Sequence, residues 1–352
     1  MENNIQVLDK KAERKERRKV ARQATRAFSR IFFSLVVYIL VAGLVLVAAE
    51  TVLLLALGEE GAVAAMENPY VMWGLRVLAM YIVAFPLFLK MVKKLPRKDI
   101  EKSSMGFGSF IGTFFICQAA MLIGNLISTY LVEFISGIMG HEIPNTTSDL
   151  ILESPLWLVI LVAVIIGPIV EELIFRKAII DRTAMYGEKF SVAVSALAFG
   201  LFHGNLSQLI YATMFGSILG WVYVKTGKIK NTCILHIIIN FFGSVPAILL
   251  NDKIQLVSEM AMEESIADME TFMAALVPVA IYSILQYMAM FIGIAIYIKR
   301  RDNDEMKLSK IGDIQISGWR RFRCAVLNFG ALLFYAFSAY TIMVTLMMPA
   351  VA

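Results

Sequence analysis

Glu171 and Glu172 stand side by side in "GPIVEELIFR" (167–176), inside an otherwise apolar run. A carboxylate in hydrocarbon is expensive, about 2.5–3.5 kcal/mol for an aspartate at the centre of a membrane helix. On a helix, residues four apart share a face and adjacent residues point about 100° apart. Glu172 and Arg176 are four apart with the acid on the N-terminal side, the favourable order for an ion pair. Arg176 lies near the end of its helix and can extend its guanidinium toward the interface. Glu171 has no such partner on its own helix. It must meet a polar group from another helix or stay protonated, and a carboxylate so placed suits acid–base chemistry. The alternative is a structural Glu–Arg network that joins two helices.

Two further segments carry groups that are costly to bury. "SALAFGLFHGN" sets Phe199 and His203 four apart on one face, and "CILHIIINFFG" does the same for His236 and Asn240. Either histidine alone reads equally as a satisfied packing residue. Two imidazoles, an amide and an unpaired glutamate on three helices are most economically housed in one shared, wet cavity. Pro168 removes one backbone donor and crowds the carbonyl of Val164, so a kink with a small polar cavity beside Glu171 is expected. Gly216 and Gly220, in GxxxG spacing between the two histidine segments, read as a helix-packing surface.

The elements that must hold these groups are membrane helices. Of 352 residues, 59% are hydrophobic and 17% charged, the profile of an all-α polytopic bundle and not of a soluble multi-domain chain. Apolar runs at about 31–58, 70–92, 106–137, 155–182, 190–204, 206–224, 231–250, 272–298 and 324–350 give eight to nine spans. The 190–204 run is short for a crossing, and "GNLS" after it is a very short connection. The net charge of +5 is concentrated in short segments. Residues 1–30 form a basic tail, and basic connections alternate with connections that lack Lys and Arg or are acidic. By the positive-inside rule the N-terminus is cytoplasmic, in an integral, multi-pass protein of the cell membrane. The tail could also touch anionic lipid. This charge pattern speaks for the bilayer as partner and against nucleic acid. Segment 251–271 reads as an acidic outer loop, with an amphipathic surface helix as the alternative. Cys117, Cys233 and Cys324 are scattered and suggest neither disulfides nor a CxxC zinc site. His141 falls in an outer loop and receives no role.

"EELIFR", "FGLFH" and "HIIIN", in that order and about 30 residues apart, resemble the EExxxR, FxxxH and HxxxN/D signatures of the CPBP family. These are intramembrane proteases of the CAAX-processing and bacteriocin-processing type, also called Abi proteins. The resemblance covers about residues 155–250, including "TGKIKNT" before the last motif. The helices at 31–154 and 272–352 lie outside it. The resemblance implies hydrolysis of a peptide bond in a membrane protein or lipid-associated peptide. It implies that Glu171 and His203 activate water and that His236 and Asn240 stabilise the oxyanion, with Glu172, Arg176 and Phe199 in support. A mechanism without metal is expected; zinc on the Glu, His and Asn groups is the alternative, although no HExxH is present. From other classes, a proton-coupled transporter and a non-catalytic membrane partner or immunity protein of the same fold remain open. Duplicated halves of the transporter kind are not evident.

Overall fold

The computed structural model describes residues 2–262 and 268–348, and its regular elements are all helical. They are α1 (Glu2–Glu67), α2 (Pro69–Val92), α3 (Phe107–Met139), α4 (Thr146–Leu152), α5 (Leu156–Tyr186) and α6 (Glu188–Phe202), then α7 (Leu206–Thr226), α8 (Ile229–Met262), α9 (Met269–Asp302), α10 (Gly318–Val326) and α11 (Phe329–Met347). Among the described residues seven helices are long and apolar enough to cross a bilayer: α1, α2, α3, α5, α8, α9 and α11. The protein is therefore a polytopic helical bundle.

The remaining two of the nine expected spans, 190–204 and 206–224, form the hairpin α6–α7. Helix α6 has 15 residues. At 1.5 Å per residue it reaches roughly 22 Å, short of the ~30 Å hydrocarbon core. Gly204 turns the chain at φ +68, and Asn205 caps α7 by accepting from the Gln208 amide at 2.8 Å. Helix α7 is enclosed by protein: Phe215, Leu219, Val222 and Tyr223 are buried. The two glycines seat it on α6. A Cβ on Gly216 would lie 2.9 Å from Phe199 Cδ1, and one on Gly220 would lie 3.0 Å from Val192 Cγ1.

Three boundaries differ from the sequence reading. The basic segment at 1–30 is not a separate tail, because α1 runs helical from Glu2 through the first span to Glu67, interrupted only at Gly58 (φ 72). Helix propensity explains this, since the segment is rich in Ala, Arg, Lys and Glu. The expected outer loop is helical over its first half, where α8 continues to Met262; residues 263–267 lie outside the described residues. The run at 324–350 is broken at Leu327–Asn328, where Asn328 Oδ1 accepts from Ala331 N at 2.9 Å and starts α11.

Helix α5 is not uniform. It is π-helical over Ile160–Ile166, α-helical over Gly167–Glu172 and π-helical again over Leu173–Ile180. Helix α2 has the same device, a π stretch at Val77–Ala84. In both helices the π stretch ends two residues before a proline, Pro86 or Pro168. A proline has no N–H and its ring presses on the carbonyl one turn back; a wider turn relieves that pressure. The strain expected as a kink at Pro168 is thus spread into two widened turns around the glutamate pair.

Candidate active site

Each motif reaches the site on its own helix. Helix α5 brings the glutamates, α6 brings Phe199 and His203, and α8 brings His236 and Asn240. Helices α5 and α6 run antiparallel and meet at Gly187, whose φ of +121 only glycine adopts readily. Glu171 and His203 each stand sixteen residues from that turn, roughly 24 Å along their helices. Equal arms place them at equal depth, although His203 lies at the tip of a short helix.

The adjacent glutamates have different fates. Glu172 is sealed at 0% exposure; Arg176 Nε lies 3.0 Å from its Oε2 and His236 Nδ1 lies 3.1 Å from its Oε1. The arginine N–H is not directed along the N···O line, so that contact is charge with charge rather than an aligned hydrogen bond. Arg176, itself fully buried, also donates to Ser195 Oγ at 3.4 Å and sits 5.0 Å over the Phe199 ring. Glu171 keeps 26% of its side-chain surface open, with His236 Nε2 at 3.6 Å from its Oε2. His236 therefore stands between the two carboxylates, one nitrogen toward each. The i,i+4 pairing of Glu172 with Arg176 is as expected, and so is the need of Glu171 for a partner from another helix.

That partner is His236 and not His203. Among the described residues no carboxylate oxygen lies within 4.0 Å of His203. Its Nδ1 donates to Phe199 O at 2.8 Å, which leaves Nε2 as the free acceptor when the ring is neutral. Phe199 joins the two histidine helices: its ring centroid lies 4.9 Å from His203 and 5.8 Å from His236. Phe215 of α7 closes on His236 from another side at 5.0 Å.

Asn240 answers the proline. Gly167 N–H bonds back to Val162 O, and Pro168 has no N–H to offer Ala163 O. Asn240 Nδ2 donates to that carbonyl at 3.1 Å. One amide N–H thus secures α8 to α5, and the second remains for other work.

Several neighbours carry no motif signature. Tyr38 of α1, Tyr81 of α2 and Tyr211 of α7 are in the electrostatic neighbourhood of Glu171. The Tyr81 hydroxyl lies 3.1 Å from where a Cβ on Gly167 would stand. Thr232, buried one turn before His236, lies beside Glu172 while its hydroxyl donates to Ile229 O at 3.0 Å. Only Thr232 left a trace in the sequence, as the polar residue four before His236. A metal is poorly served here. Among the described residues no three His, Cys, Asp or Glu side chains converge as ligands. Glu172 is held by Arg176, and the two nitrogens of His236 point to different carboxylates.

Residues 153–242 match the family described as type II CAAX prenyl endopeptidase, Rce1-like. That interval spans all three motifs. Over that interval the chain is similar to the CPBP family. Two curated relatives agree. It is 29% identical over 220 residues to "Putative membrane peptidase YdiL" of Bacillus subtilis (strain 168), covering 60% of this chain and 86% of that protein. It is 26% identical over 151 residues to "Membrane-embedded CAAX protease MroQ" of Staphylococcus aureus (strain USA300), covering 41% of this chain and 60% of that one. No solved structure matches the chain. At the level of the family, the CPBP core supports a membrane endopeptidase that works on membrane-associated substrates.

Proposed function

We propose that this chain hydrolyses a peptide bond of a membrane protein or lipid-associated peptide within the bilayer, with Glu171 as the base. The observation that carries the reading is the asymmetry of the glutamate pair: Glu172 is sealed by Arg176 and His236, while Glu171 keeps about a quarter of its side chain (26%) open and meets His236 of α8. In this scheme a water lies between Glu171 and His203 and donates to the free Nε2 of His203. Glu171 takes a proton from it as the oxygen bonds to the scissile carbonyl carbon. The carbonyl oxygen becomes an oxyanion, which accepts from the second N–H of Asn240 and from His236 Nε2. One such donor is worth about 2.7–4 kcal/mol. Glu171 then gives its proton to the departing amine nitrogen as the C–N bond breaks. For His236 to serve, its Nε2 must turn from Glu171 to the substrate once Glu171 is protonated, a short movement from 3.6 Å. Glu172, Arg176 and Phe199 position the imidazole. The step needs water and no metal. The basic ends of the spans support a cytoplasmic N-terminus in a cell-membrane protein.

The test is cleavage of a panel of labelled transmembrane and lipid-anchored peptides by the purified chain in nanodiscs, with products mapped by mass spectrometry. Wild type cuts at a defined bond. Glu171→Gln lowers the rate by about 10²–10⁴-fold with folding intact, and His203→Ala lowers it severely as well. Added chelator leaves the rate unchanged. Cleavage by Glu171→Gln at the wild-type rate would refute the base assignment, and binding without cleavage would point to a non-catalytic partner.

A further inference from the structure

At one end of the bundle, far along α1 from Tyr38, a cleft of about 450 Å³ opens between α1 and α10. Arg22 and Arg26 face it from α1, and Arg320 and Arg323 face it from α10. Spacings of four and three put each pair on one helix face. All four arginines are exposed, and among the described residues none has a carboxylate within 4.0 Å. Four guanidinium groups turned toward one small space repel one another unless an anion stands among them. Their planar, forked donors match the oxygens of a phosphate.

The setting says which kind of phosphate. Leu327 lines the same cleft and is 52% exposed, two residues before α11 enters its apolar stretch. Arg26 stands one turn before Arg30, whose Nε donates to Met91 O at the end of the α2 span. The cleft therefore lies where α1, α2 and α11 meet the membrane surface. Helix α10 carries Trp319 and Phe322, stacked at 5.6 Å and both exposed, the kind of aromatic pair that settles at the headgroup level. We propose that this cleft binds the phosphodiester headgroup of an anionic phospholipid, with an acyl chain leaving along Leu327. The site is separate from the glutamate pair and does not depend on the catalytic scheme.

The experiment titrates the full chain in nanodiscs with phosphatidylglycerol against a phosphatidylcholine background and reads bound lipid by native mass spectrometry. Each basic side chain at an anionic surface is worth about fivefold in partitioning. Arg22→Gln/Arg26→Gln and Arg320→Gln/Arg323→Gln should therefore each weaken phosphatidylglycerol binding by about 25-fold. Arg14→Gln/Arg18→Gln removes the same charge from α1 outside the cleft and should change it less than threefold. Equal losses in all three variants would show a diffuse surface field and overturn the proposal. Inorganic phosphate binding the wild type in detergent as tightly as the lipid would also overturn it, in favour of a soluble anion. Should the Gln variants fail to fold, Arg22→Lys/Arg26→Lys keeps the charge and removes the fork. The proposal expects a several-fold loss there, and no change would refute it.

Discussion

Helices α5 and α9 are both long and apolar, yet the bundle treats them oppositely. In its most apolar stretch α5 is 56% buried and α9 only 11%. Of the seven spans, the helix that carries Glu171, Glu172 and Arg176 is the one most enclosed by protein, and α9 presents Ile281, Leu285 and Phe291 outward. Mean hydropathy alone would rank α5 above α9 as a span suited to lipid. What separates them is the cost of charge in hydrocarbon, which forces a charged helix to the interior, where other helices supply its partners.

The sharpest way to break that contrast is to strand a charge on α5. Arg176→Met leaves Glu172 buried opposite His236 alone and is expected to destabilise the protein by about 3–5 kcal/mol in a reversible unfolding assay; Glu172→Gln added to it recovers part of the loss. Next is the seam that encloses α5. A side chain at Gly200 would meet Thr213 Oγ1 and Leu209 O of α7, so Gly200→Leu should cost about 1–3 kcal/mol or more and lower the melting temperature. A subtler effect comes from the proline. Asn240→Ala leaves Ala163 O without a donor, a loss of about 1 kcal/mol; Pro168→Ala restores a backbone N–H, so the two changes should couple in a double-mutant cycle. Independent, additive effects would mean that Asn240 is not answering Pro168. Smallest of all, Leu285→Ala on the outward face of α9 should fall within about 0.5 kcal/mol. A loss matching that of Arg176→Met would erase the distinction between enclosed and lipid-facing helices.

The sequence made some of this legible and hid the rest for definite reasons. Glu172 with Arg176, Phe199 with His203, and His236 with Asn240 could be read because each is an i,i+4 relation inside one helix, set by backbone geometry alone. The helical character of the bundle followed from long apolar runs. The placement of His236 between both glutamates could not be read, because it depends on how α8 rotates against α5 across 64 residues of chain. The π turns in α5 were hidden for a related reason: a proline announces a lost bond but not which neighbour replaces it. The tyrosines around Glu171 come from three helices and share no spacing with it. The helical continuation of α1 through the basic segment before residue 31 is not announced by polarity, since a helix continues through a change of solvent so long as its residues favour helix.

The equal arms on either side of Gly187 act as a vernier. Deleting one residue from α6 alone would draw His203 back by 1.5 Å and swing it by about 100°, while Glu171 stayed in place. The α5–α6 pair therefore tolerates changes of residue type along its length far better than changes in length, because the number of residues between the first two motifs sets where His203 stands relative to Glu171.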